Sequence, residues 1–355
     1  MGVLDNETIY EKFDPQGMNK YIHDLPNHIE NSWNELKQIS IPTHYINAKN
    51  IVILGMGGSG NVGNIIKYYT QKNIKVPIEI VKDYVLPAYV NSSTLVIAIS
   101  FSGGTEETIA AFSEAGVRGA KLLAVSAGGE IESLARKYNV PHFKINYSLP
   151  ARAAIIFLLM PIIYFLSKLK FIDVRDDEIN EILNNLKIFQ QRIEITMPTG
   201  QNEAKKLAEN LKGKLCIIVG SGIVSPIAVR FKNQINENAK SFAAWEEMPE
   251  MCHNFLQGLD FPDRIKDKIL TIFIQSKFDY PRNILRFQAV QNVLKRKGLM
   301  FEVVNLEVKG SELSEILHYL HFVDYVSLYM AMLEQTDPMP YEMVTYLKNF
   351  LAENK

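Results

Sequence analysis

Residues 50–60 read NIVILGMGGSG, which is an unbroken apolar run followed by a glycine-rich turn. Three further runs rich in Val, Ile and Leu come next, VPIEIVKDY, STLVIAIS and GAKLLAVS, with helix-length stretches between them. Strands that are apolar on both faces and alternate with helices are typical of a parallel sheet covered on both sides. PHFKIN at 141–146 predicts a fifth, weaker strand. This part of the chain is therefore predicted to be an α/β module.

The same pattern returns in the second half of the chain. KLCIIVGSG at 214–222 repeats the order of apolar strand, glycine turn and helix, and SFAAWEEM, ILTIFIQS and LMFEVVNL predict further strands. A weak internal duplication of this kind indicates two copies of one supersecondary unit. The predicted fold class is α/β, with two tandem modules that each consist of a parallel sheet flanked by helices. No low-complexity linker separates them, so we expect the modules to pack closely.

The composition argues against several classes of protein. The 355 residues are 47% hydrophobic and 22% charged, values typical of globular proteins and not of disordered chains. The formal net charge of −1 argues against a nucleic-acid partner bound by a basic surface, although a local basic patch is compatible with that sum. Cys216 and Cys252 form no CxxC pair, and the N-terminal residues lack the pattern of a signal peptide. A cytoplasmic location is the expectation.

Residues 153–166 (AAIIFLLMPIIYFL) form a run without a strongly polar side chain. A helix that crosses a bilayer needs roughly 20 apolar residues, and this run is shorter. Pro161 also lies in its middle, where it removes a backbone donor. We therefore expect no membrane partner and interpret the run as a helix buried on all sides, between domains or between subunits.

The glycine turn at 55–60 fits the pattern GxGxxG between a strand and a helix. It is compatible with a dinucleotide-binding fold, in which Asp83 after the second strand would bind the ribose. It is also compatible with any phosphate group, because glycines let the backbone approach an anion and the following helix offers free N–H groups. A tight turn with only a structural role is a third interpretation.

The loop after the third strand favours a phosphate. SFSGGTEET places three hydroxyls, those of Ser100, Ser102 and Thr105, at the carboxyl end of a strand, where open parallel sheets bind ligands. A helix N-cap at Thr105, assisted by Thr108, is the alternative, although a cap needs only one hydroxyl. The loop contains no Lys or Arg, which suits a terminal phosphate monoester better than a pyrophosphate. The second module lacks such a loop, so a single phosphate site is expected.

Signals for metal or triad chemistry are weak. The sequence contains no HExxH, no cysteine cluster and no GxSxG elbow between a strand and a helix. His318 and His321 lie three residues apart on a predicted helix, and no further ligand signal occurs near them. We interpret both as ordinary helix residues and expect no metal.

Two stretches of the second module carry titratable side chains of interest. In RFKNQINENAKSFAAW the predicted apolar stripe of the helix is formed by Ala228, Phe231 and Ile235. That stripe places Glu237 away from the core, so spacing alone predicts a solvated surface acid. In WEEMPEMCHNFLQG a proline ends the strand and His253 lies close to a new helix start, where an ordinary loop histidine is the simplest interpretation.

Five motifs together resemble one family. LGMGGSG, SFSGGTEET, PARAA, NQINENAK and the MPEMCHN segment occur in order and at suitable separations. The sequence from about residue 45 to the C-terminal helix resembles the bifunctional phosphoglucose/phosphomannose isomerases, a branch of the phosphoglucose isomerase superfamily with tandem sugar-isomerase domains. The resemblance implies an aldose–ketose isomerase that acts on hexose 6-phosphates through an enediol(ate), without metal or redox cofactor, as a homodimer. Glucose and mannose 6-phosphates would both interconvert with fructose 6-phosphate.

The resemblance also implies roles for individual residues. It implies phosphate binding by Gly58, Ser59, Ser100, Ser102 and Thr105. It implies that Glu237 is the base that moves a proton between C2 and C1, and that Arg152 stabilises the enediolate. His253 would assist ring opening from the neighbouring subunit, and Lys348 in the C-terminal helix would act in the same step. Tyr341 lies near the position where the family sets its choice of substrate.

With the resemblance, the chain divides into five predicted parts. They are an N-terminal helical segment (1–46), a first sugar-isomerase domain with the phosphate site (47–167), a helical connector (168–213), a second sugar-isomerase domain (214–335) and a C-terminal helix (336–355). A non-catalytic module that binds phosphosugars remains the alternative function, because it would need the phosphate loop but not Glu237, His253 or Arg152. A dehydrogenase that binds NAD(P) is a third interpretation.

Overall fold

The computed structural model describes residues 2–262 and 266–354. Each module contains one parallel sheet, as the apolar runs predict. The strands of the first sheet are β1 (Asn50–Leu54), β2 (Ile78–Val81), β3 (Thr94–Ile99), β4 (Lys121–Ser126) and β5 (His142–Lys144). The strands of the second sheet are β6 (Leu215–Ser221), β7 (Ala243–Met248), β8 (Ile269–Ile274) and β9 (Met300–Val304). The predicted fold class and the weak fifth strand are both confirmed.

Helices cover both sheets and form the N- and C-terminal segments. The first half contains α1 (Glu7–Phe13), α2 (Met18–His23), α3 (Leu25–Leu36), α4 (Gly57–Thr70), α5 (Glu106–Val117), α6 (Gly129–Lys137) and α7 (Ile155–Lys168). The second half contains α8 (Asp176–Ile193), α9 (Glu203–Leu211), α10 (Ser225–Asn238), α11 (Pro281–Arg296), α12 (Glu312–Leu333) and α13 (Glu342–Glu353). The predicted division into five parts stays a prediction, and Met1, 263–265 and Lys355, which it includes, lie outside the described residues.

The order of the strands determines where a ligand can bind. The first sheet has the order β2-β1-β3-β4-β5 and the second the order β7-β6-β8-β9. In each sheet the second strand along the chain (β2 or β7) therefore lies on one side of the first strand (β1 or β6), and the third strand (β3 or β8) lies on the other side. Loops diverge at such a switch point, which opens a crevice at the carboxyl ends of the strands. In the first module this crevice lies between the loops that follow β1 and β3, which are the two predicted phosphate loops.

Two helices are buried almost completely. All residues of α7 from Ile155 to Leu166 are buried, and α7 packs against α3 and α4 of the same chain. The apolar run is thus covered inside one chain, and no second subunit is needed to bury it. The 22-residue α12 is long and apolar enough by composition to cross a membrane, but its apolar window is entirely buried in the protein. This helix is a core element of the fold.

The two modules are in direct contact. Asn61 on α4 donates from Nδ2 to the carbonyl of Pro226 at the start of α10, at 3.0 Å. The hydroxyl of Tyr68 on α4 donates to Glu247 in β7. These contacts join the first helix of one module to the matching part of the other, as the absence of a linker predicts.

A buried ion pair attaches the N-terminal segment. Asp5 accepts hydrogen bonds from the backbone N–H of Thr199 at 2.8 Å and from Lys205 Nζ at 3.2 Å. Lys205 is completely buried. Burial opposes ionisation of Asp5, but the hydrogen bonds from Thr199 and Lys205 outweigh it and hold its pKa well below the usual range.

The buried His321 should make the free energy of unfolding depend on pH. Its side chain is completely buried on α12, and burial, with His318 and His23 nearby, lowers its pKa from 6.5 to about 3. The folded state therefore favours the neutral ring. Stability from this preference is complete above the unfolded pKa of about 6.5 and is lost as the pH falls from there toward 3. We expect the free energy of unfolding to lose about 2 kcal/mol from this residue between pH 7 and pH 5.

Denaturant unfolding of the wild type and of His321→Phe at both pH values measures this difference. The wild type should lose more stability than the variant. His44→Phe, at an exposed position, should follow the wild type. Equal losses in the wild type and in His321→Phe would contradict the assignment.

Candidate active site

The loop after β1 presents free backbone to the crevice. Gly57, the first residue of α4, has φ +52°, and a Cβ at Gly57 or Gly58 would meet no atom within 4 Å. Gly60 is needed for close packing, since a Cβ there would lie 2.6 Å from the carbonyl oxygen of Gly55. Ser59 is half-buried in the first turn, and no side chain caps the helix. The free N–H groups of this turn can therefore receive an anion.

The loop after β3 brings the predicted hydroxyls together. Ser100 is buried, and its Oγ lies 2.9 Å from Thr105 Oγ1 and accepts a hydrogen bond from the N–H of Gly103 at 3.1 Å. Ser102 is exposed and accepts from the N–H of Gly104 at 3.3 Å. The five predicted phosphate ligands thus lie on the loops that flank the switch point.

Thr105 occupies the N-cap position of α5 but does not cap it. Its backbone is extended, with φ −75° and ψ 115°, and its side chain makes no hydrogen bond to the first turn. The hydroxyl pairs with Ser100 instead. The N-cap interpretation is therefore correct for the backbone and wrong for the side chain. The first turn of α5 keeps its N–H groups free for a ligand.

A pair of glycines in the loop after β4 supports this site, and sequence reasoning missed it. Gly103 has φ +68°, and a Cβ there would lie 1.8 Å from the carbonyl oxygen of Gly128. Gly129 has φ +67°, and a Cβ there would lie 2.7 Å from the carbonyl oxygen of Ser102. The two loops are held together by backbone contact that only glycine allows. The signal in the sequence was the Gly-Gly pair directly after the fourth strand.

Arg152 and Glu237 lie opposite each other. Arg152 belongs to a one-turn 3₁₀ helix, Ala151–Ala153, and is 7% exposed, whereas Glu237 is on the last turn of α10. Arg152 Nη1 lies 3.8 Å from Glu237 Oε2, and the Glu237 side chain is 43% exposed. The predicted apolar stripe of α10 is confirmed and does turn Glu237 away from the core. The carboxylate nevertheless faces a buried cation, which spacing could not show.

The C-terminal segment closes over the guanidinium of Arg152. Arg152 Nη2 donates to the carbonyl oxygens of Pro338 and Met339. The ring of Tyr341 lies 5.0 Å from the guanidinium carbon. Burial lowers the pKa of Arg152 and Glu237 opposes this, so the side chain stays charged at neutral pH. The arrangement is a positively charged, mostly dry position beside a carboxylate.

Lys240 adds a second cation that sequence reasoning did not select. Its Nζ donates to the carbonyl oxygens of Glu237 at 2.8 Å and of Pro338 at 3.2 Å. Burial, together with the charge of Arg152, lowers the pKa of Lys240 to about 8. Lys240 is the last residue of the NQINENAK motif, which was the available signal.

Arg152, Glu237, Lys240 and Tyr341 form a cluster at the candidate site. Lys348 and His253 differ in their contacts with it. Lys348, on the exposed helix α13, lies with its Nζ 6.0 Å from the ring centre of Tyr341, which also covers Arg152. His253 is exposed at the end of a 3₁₀ helix that follows β7. Within the described part of the chain, His253 makes no hydrogen bond or ion pair with Arg152 or Glu237. One chain therefore brings Lys348 near Tyr341 and Arg152, and among its described residues it makes no direct bond between His253 and these two.

The second module has a carboxylate at its own switch point. Asp279 follows β8, is buried, and accepts hydrogen bonds from the Ser221 hydroxyl and from the backbone N–H of Ser276, the latter at 3.0 Å. Burial raises the pKa of Asp279, and the bond from Ser221 opposes this. An internal carboxylate thus takes the donors that a phosphate would use. Sequence reasoning predicted that this module lacks a phosphate loop but did not foresee Asp279.

The donor set gives no reason to place a metal. The residues in 2–262 and 266–354 contain no group of three or more His, Cys, Asp or Glu side chains that could hold one. His318 and His321 are buried within α12, where His318 Nδ1 lies 2.7 Å from the carbonyl oxygen of Ser314.

Fold and site define a class, the sugar-isomerase (SIS) proteins. Residues 44–148 match the model for the SIS domain, and residues 200–351 match the bacterial phospho-glucose isomerase C-terminal SIS domain. The C-terminal domain of glucosamine-fructose-6-phosphate aminotransferase from Francisella tularensis has a similar structure. Its TM-score is 0.71 at 18% sequence identity, with 90% of this chain and 96% of that one covered. At that identity the likeness shows the fold alone.

Curated relatives narrow the class to a family. A bifunctional phosphoglucose/phosphomannose isomerase from Caldicellulosiruptor bescii is 36% identical, with 94% of this chain and 98% of the relative covered. One from Aquifex aeolicus is 30% identical, with 92% and 98% covered. The chain belongs to the bifunctional phosphoglucose/phosphomannose isomerase family. A D-glucosamine-6-phosphate 4-epimerase from Sulfolobus acidocaldarius is 27% identical, with 73% and 81% covered.

The hydroxyl of Thr105, which pairs with Ser100 and does not cap α5, gives a test of the phosphate site. Thr105→Val removes a donor to the ligand without removing a helix cap, so we expect the dissociation constant for inorganic phosphate to rise about tenfold. Ser311→Ala is the matched control, because the Ser311 hydroxyl does cap α12 by accepting the N–H of Ser314. The control should lose about 1 kcal/mol of stability and keep its phosphate affinity. Calorimetric titration and thermal unfolding measure both quantities, and unchanged phosphate binding in Thr105→Val would contradict the site.

Proposed function

We propose that this protein interconverts glucose 6-phosphate and fructose 6-phosphate, and also mannose 6-phosphate and fructose 6-phosphate. The observation that carries the proposal is the pairing of Glu237 with the buried Arg152. A protein that only binds phosphosugars needs the hydroxyl loops but has no use for a carboxylate opposite a desolvated cation. Membership in the family supports the same activity, because its curated members are named for it.

The roles of the side chains follow from the chemistry of aldose–ketose isomerisation. The phosphate group binds at the loops that contain Ser59, Ser100 and Thr105. Glu237 removes a proton from C2 of the aldose and returns it to C1, while the hydroxyl proton on O2 passes to O1. These transfers give the ketose and regenerate the carboxylate. Arg152 stabilises the negative oxygen of the enediolate formed between the two steps. No electron is exchanged with any other molecule, so the reaction needs no redox partner.

Position in the fold supports a common site for the phosphate and the sugar carbons. Arg152 follows β5 after a short connection, 145–150, and thus belongs to the same carboxyl edge of the first sheet as the phosphate loops. Helix α10, which carries Glu237, packs against α4, which begins in the glycine loop. Because both modules contribute, a crevice between them can hold a hexose phosphate with one end in each.

Ring opening needs a further acid or base, which we assign to His253 and Lys348. Within the described residues of one chain His253 makes no hydrogen bond or ion pair with Arg152 or Glu237, so the proposal includes a homodimer in which His253 reaches the site of the neighbouring subunit. We propose a cytoplasmic location, where hexose phosphates are available. Tyr341, which covers Arg152, is the residue that we expect to influence the choice between glucose and mannose phosphates.

Glu237→Gln tests the base. The amide cannot accept the proton, so we expect kcat with fructose 6-phosphate to fall by about 1,000-fold or more while KM changes little. A coupled assay for glucose 6-phosphate measures both constants. Glu209→Gln, at an exposed position on α9, is the control. Near-normal turnover in Glu237→Gln would show that another group is the base, and an inactive wild type that changes the configuration of glucosamine 6-phosphate at C4 would favour the epimerase reaction.

Mixing two inactive variants tests the position of His253. If His253 reaches across the dimer, a mixed dimer of Glu237→Gln and His253→Asn contains one intact site. In that site the His253→Asn subunit supplies Glu237, and the Glu237→Gln subunit supplies His253. We expect activity to return after the two are unfolded together and refolded, to about a quarter of the wild type when they mix at random. Each variant treated alone should stay inactive. If the mixture also stays inactive although the dimer forms, His253 acts within its own chain or not at all.

A further inference from the structure

Arg230 is a buried arginine on α10 to which the proposed reaction assigns no role. It is 4% exposed, and its Nη2 donates both to Asp324 Oδ2 at 2.6 Å and to the main-chain carbonyl oxygen of Arg152 at 3.0 Å. We propose that Arg230 is a positioning residue, which holds Arg152 opposite Glu237 through this carbonyl. The inference rests on the proposed function and deepens it.

The orientation of Arg230 is fixed by the core helix α12. Its Nε donates to Asp324 Oδ1 at 3.0 Å, so the guanidinium binds the carboxylate with two parallel hydrogen bonds. Gln234, one turn further along α10, donates from Nε2 to the same Oδ1 at 2.9 Å. Asp324 is 3% exposed. A planar guanidinium held in this fork has little freedom, so the direction of its remaining N–H is defined by α12.

Arg152 needs such support because its own local structure is weak. The 3₁₀ helix Ala151–Ala153 has one turn, and the preceding residues, 145–150, have no regular secondary structure. Short 3₁₀ turns have poor hydrogen-bond geometry and do not hold a position by themselves. The carbonyl bond to Arg230 fixes the main chain of Arg152, while Pro338 and Met339 bind its side chain.

Stability alone does not explain a buried ion pair at this place. Such pairs are expensive to desolvate, and apolar residues of similar volume often replace them without loss of stability. A function that depends on geometry is a better reason to keep one. A displacement of a catalytic group by about 1 Å can slow a reaction about 100-fold, so a residue that fixes Arg152 has a direct effect on rate.

Arg230→Lys tests the inference with the charge retained. The ammonium can still pair with Asp324, but it lacks the planar fork that binds Asp324 and the Arg152 carbonyl together. We expect kcat with fructose 6-phosphate to fall about 100-fold with KM little changed. The affinity for a hydroxamate sugar phosphate that mimics the enediolate should fall in parallel, and the affinity for inorganic phosphate should not change. If Arg230 had a purely structural role, the substitution would not lower the affinity for the hydroxamate while leaving the affinity for phosphate unchanged.

Lys205→Met is the matched control. It breaks the other buried ion pair, Lys205 with Asp5, which involves none of the residues around Arg152. The control should lose thermal stability and keep the kcat and both affinities of the wild type. If Arg230→Lys keeps wild-type kcat and wild-type affinity for the hydroxamate, the positioning role is wrong, whatever its stability.

Gln234→Met serves if Arg230→Lys does not fold. It removes no charge but releases one of the bonds that hold Asp324, so we expect a smaller fall in kcat at unchanged KM; wild-type kcat in this variant would overturn the inference. The proposed function fails separately, by absence of isomerase activity in the wild type, and the role of Arg230 falls with it.

Discussion

The candidate site depends on the burial of one positive charge, that of Arg152. The guanidinium of Arg152 donates to backbone carbonyls of the C-terminal segment, and its Nη1 faces Glu237. The main-chain carbonyl of Arg152 accepts a hydrogen bond from Arg230 of the second module. Parts of the chain almost 190 residues apart therefore meet at one side chain. A charge in such surroundings acts on a developing negative oxygen with little screening by water.

The proposed phosphate end of the site would bind its ligand by a different principle. It combines two helix N-termini and a cluster of hydroxyls, and the loops that form it contain no Lys or Arg. In the proposed site, free N–H groups and hydroxyls would recognise the doubly charged group by geometry, and the near-neutral net charge of −1 is consistent with that. In the second module Asp279 accepts hydrogen bonds at the corresponding switch point, which is consistent with the proposal that the duplicated fold has one phosphate site.

Local sequence patterns predicted the fold class, and for the candidate site they predicted that the hydroxyls after β3 lie together. Apolar runs are long enough to predict each strand, and hydroxyls at the end of β3 follow from parallel topology alone. Contacts between distant segments could not be predicted from local patterns. Spacing alone makes Glu237 look solvated, and only the structure places the buried Arg152 opposite it. The hydrogen bond from Arg230 to the carbonyl of Arg152 joins residues that are far apart in the sequence, and residue spacing cannot predict it.

In the proposed mechanism Glu237 transfers a proton between C2 and C1 of the sugar beside the buried Arg152. This transfer can be followed by converting fructose 6-phosphate in heavy water and recording the proton NMR spectrum of the glucose 6-phosphate formed. While Glu237 holds the proton, a fraction of it exchanges with solvent, so the glucose 6-phosphate should contain deuterium at C2. Product that carries only protium at C2, or no glucose 6-phosphate at all, would contradict it.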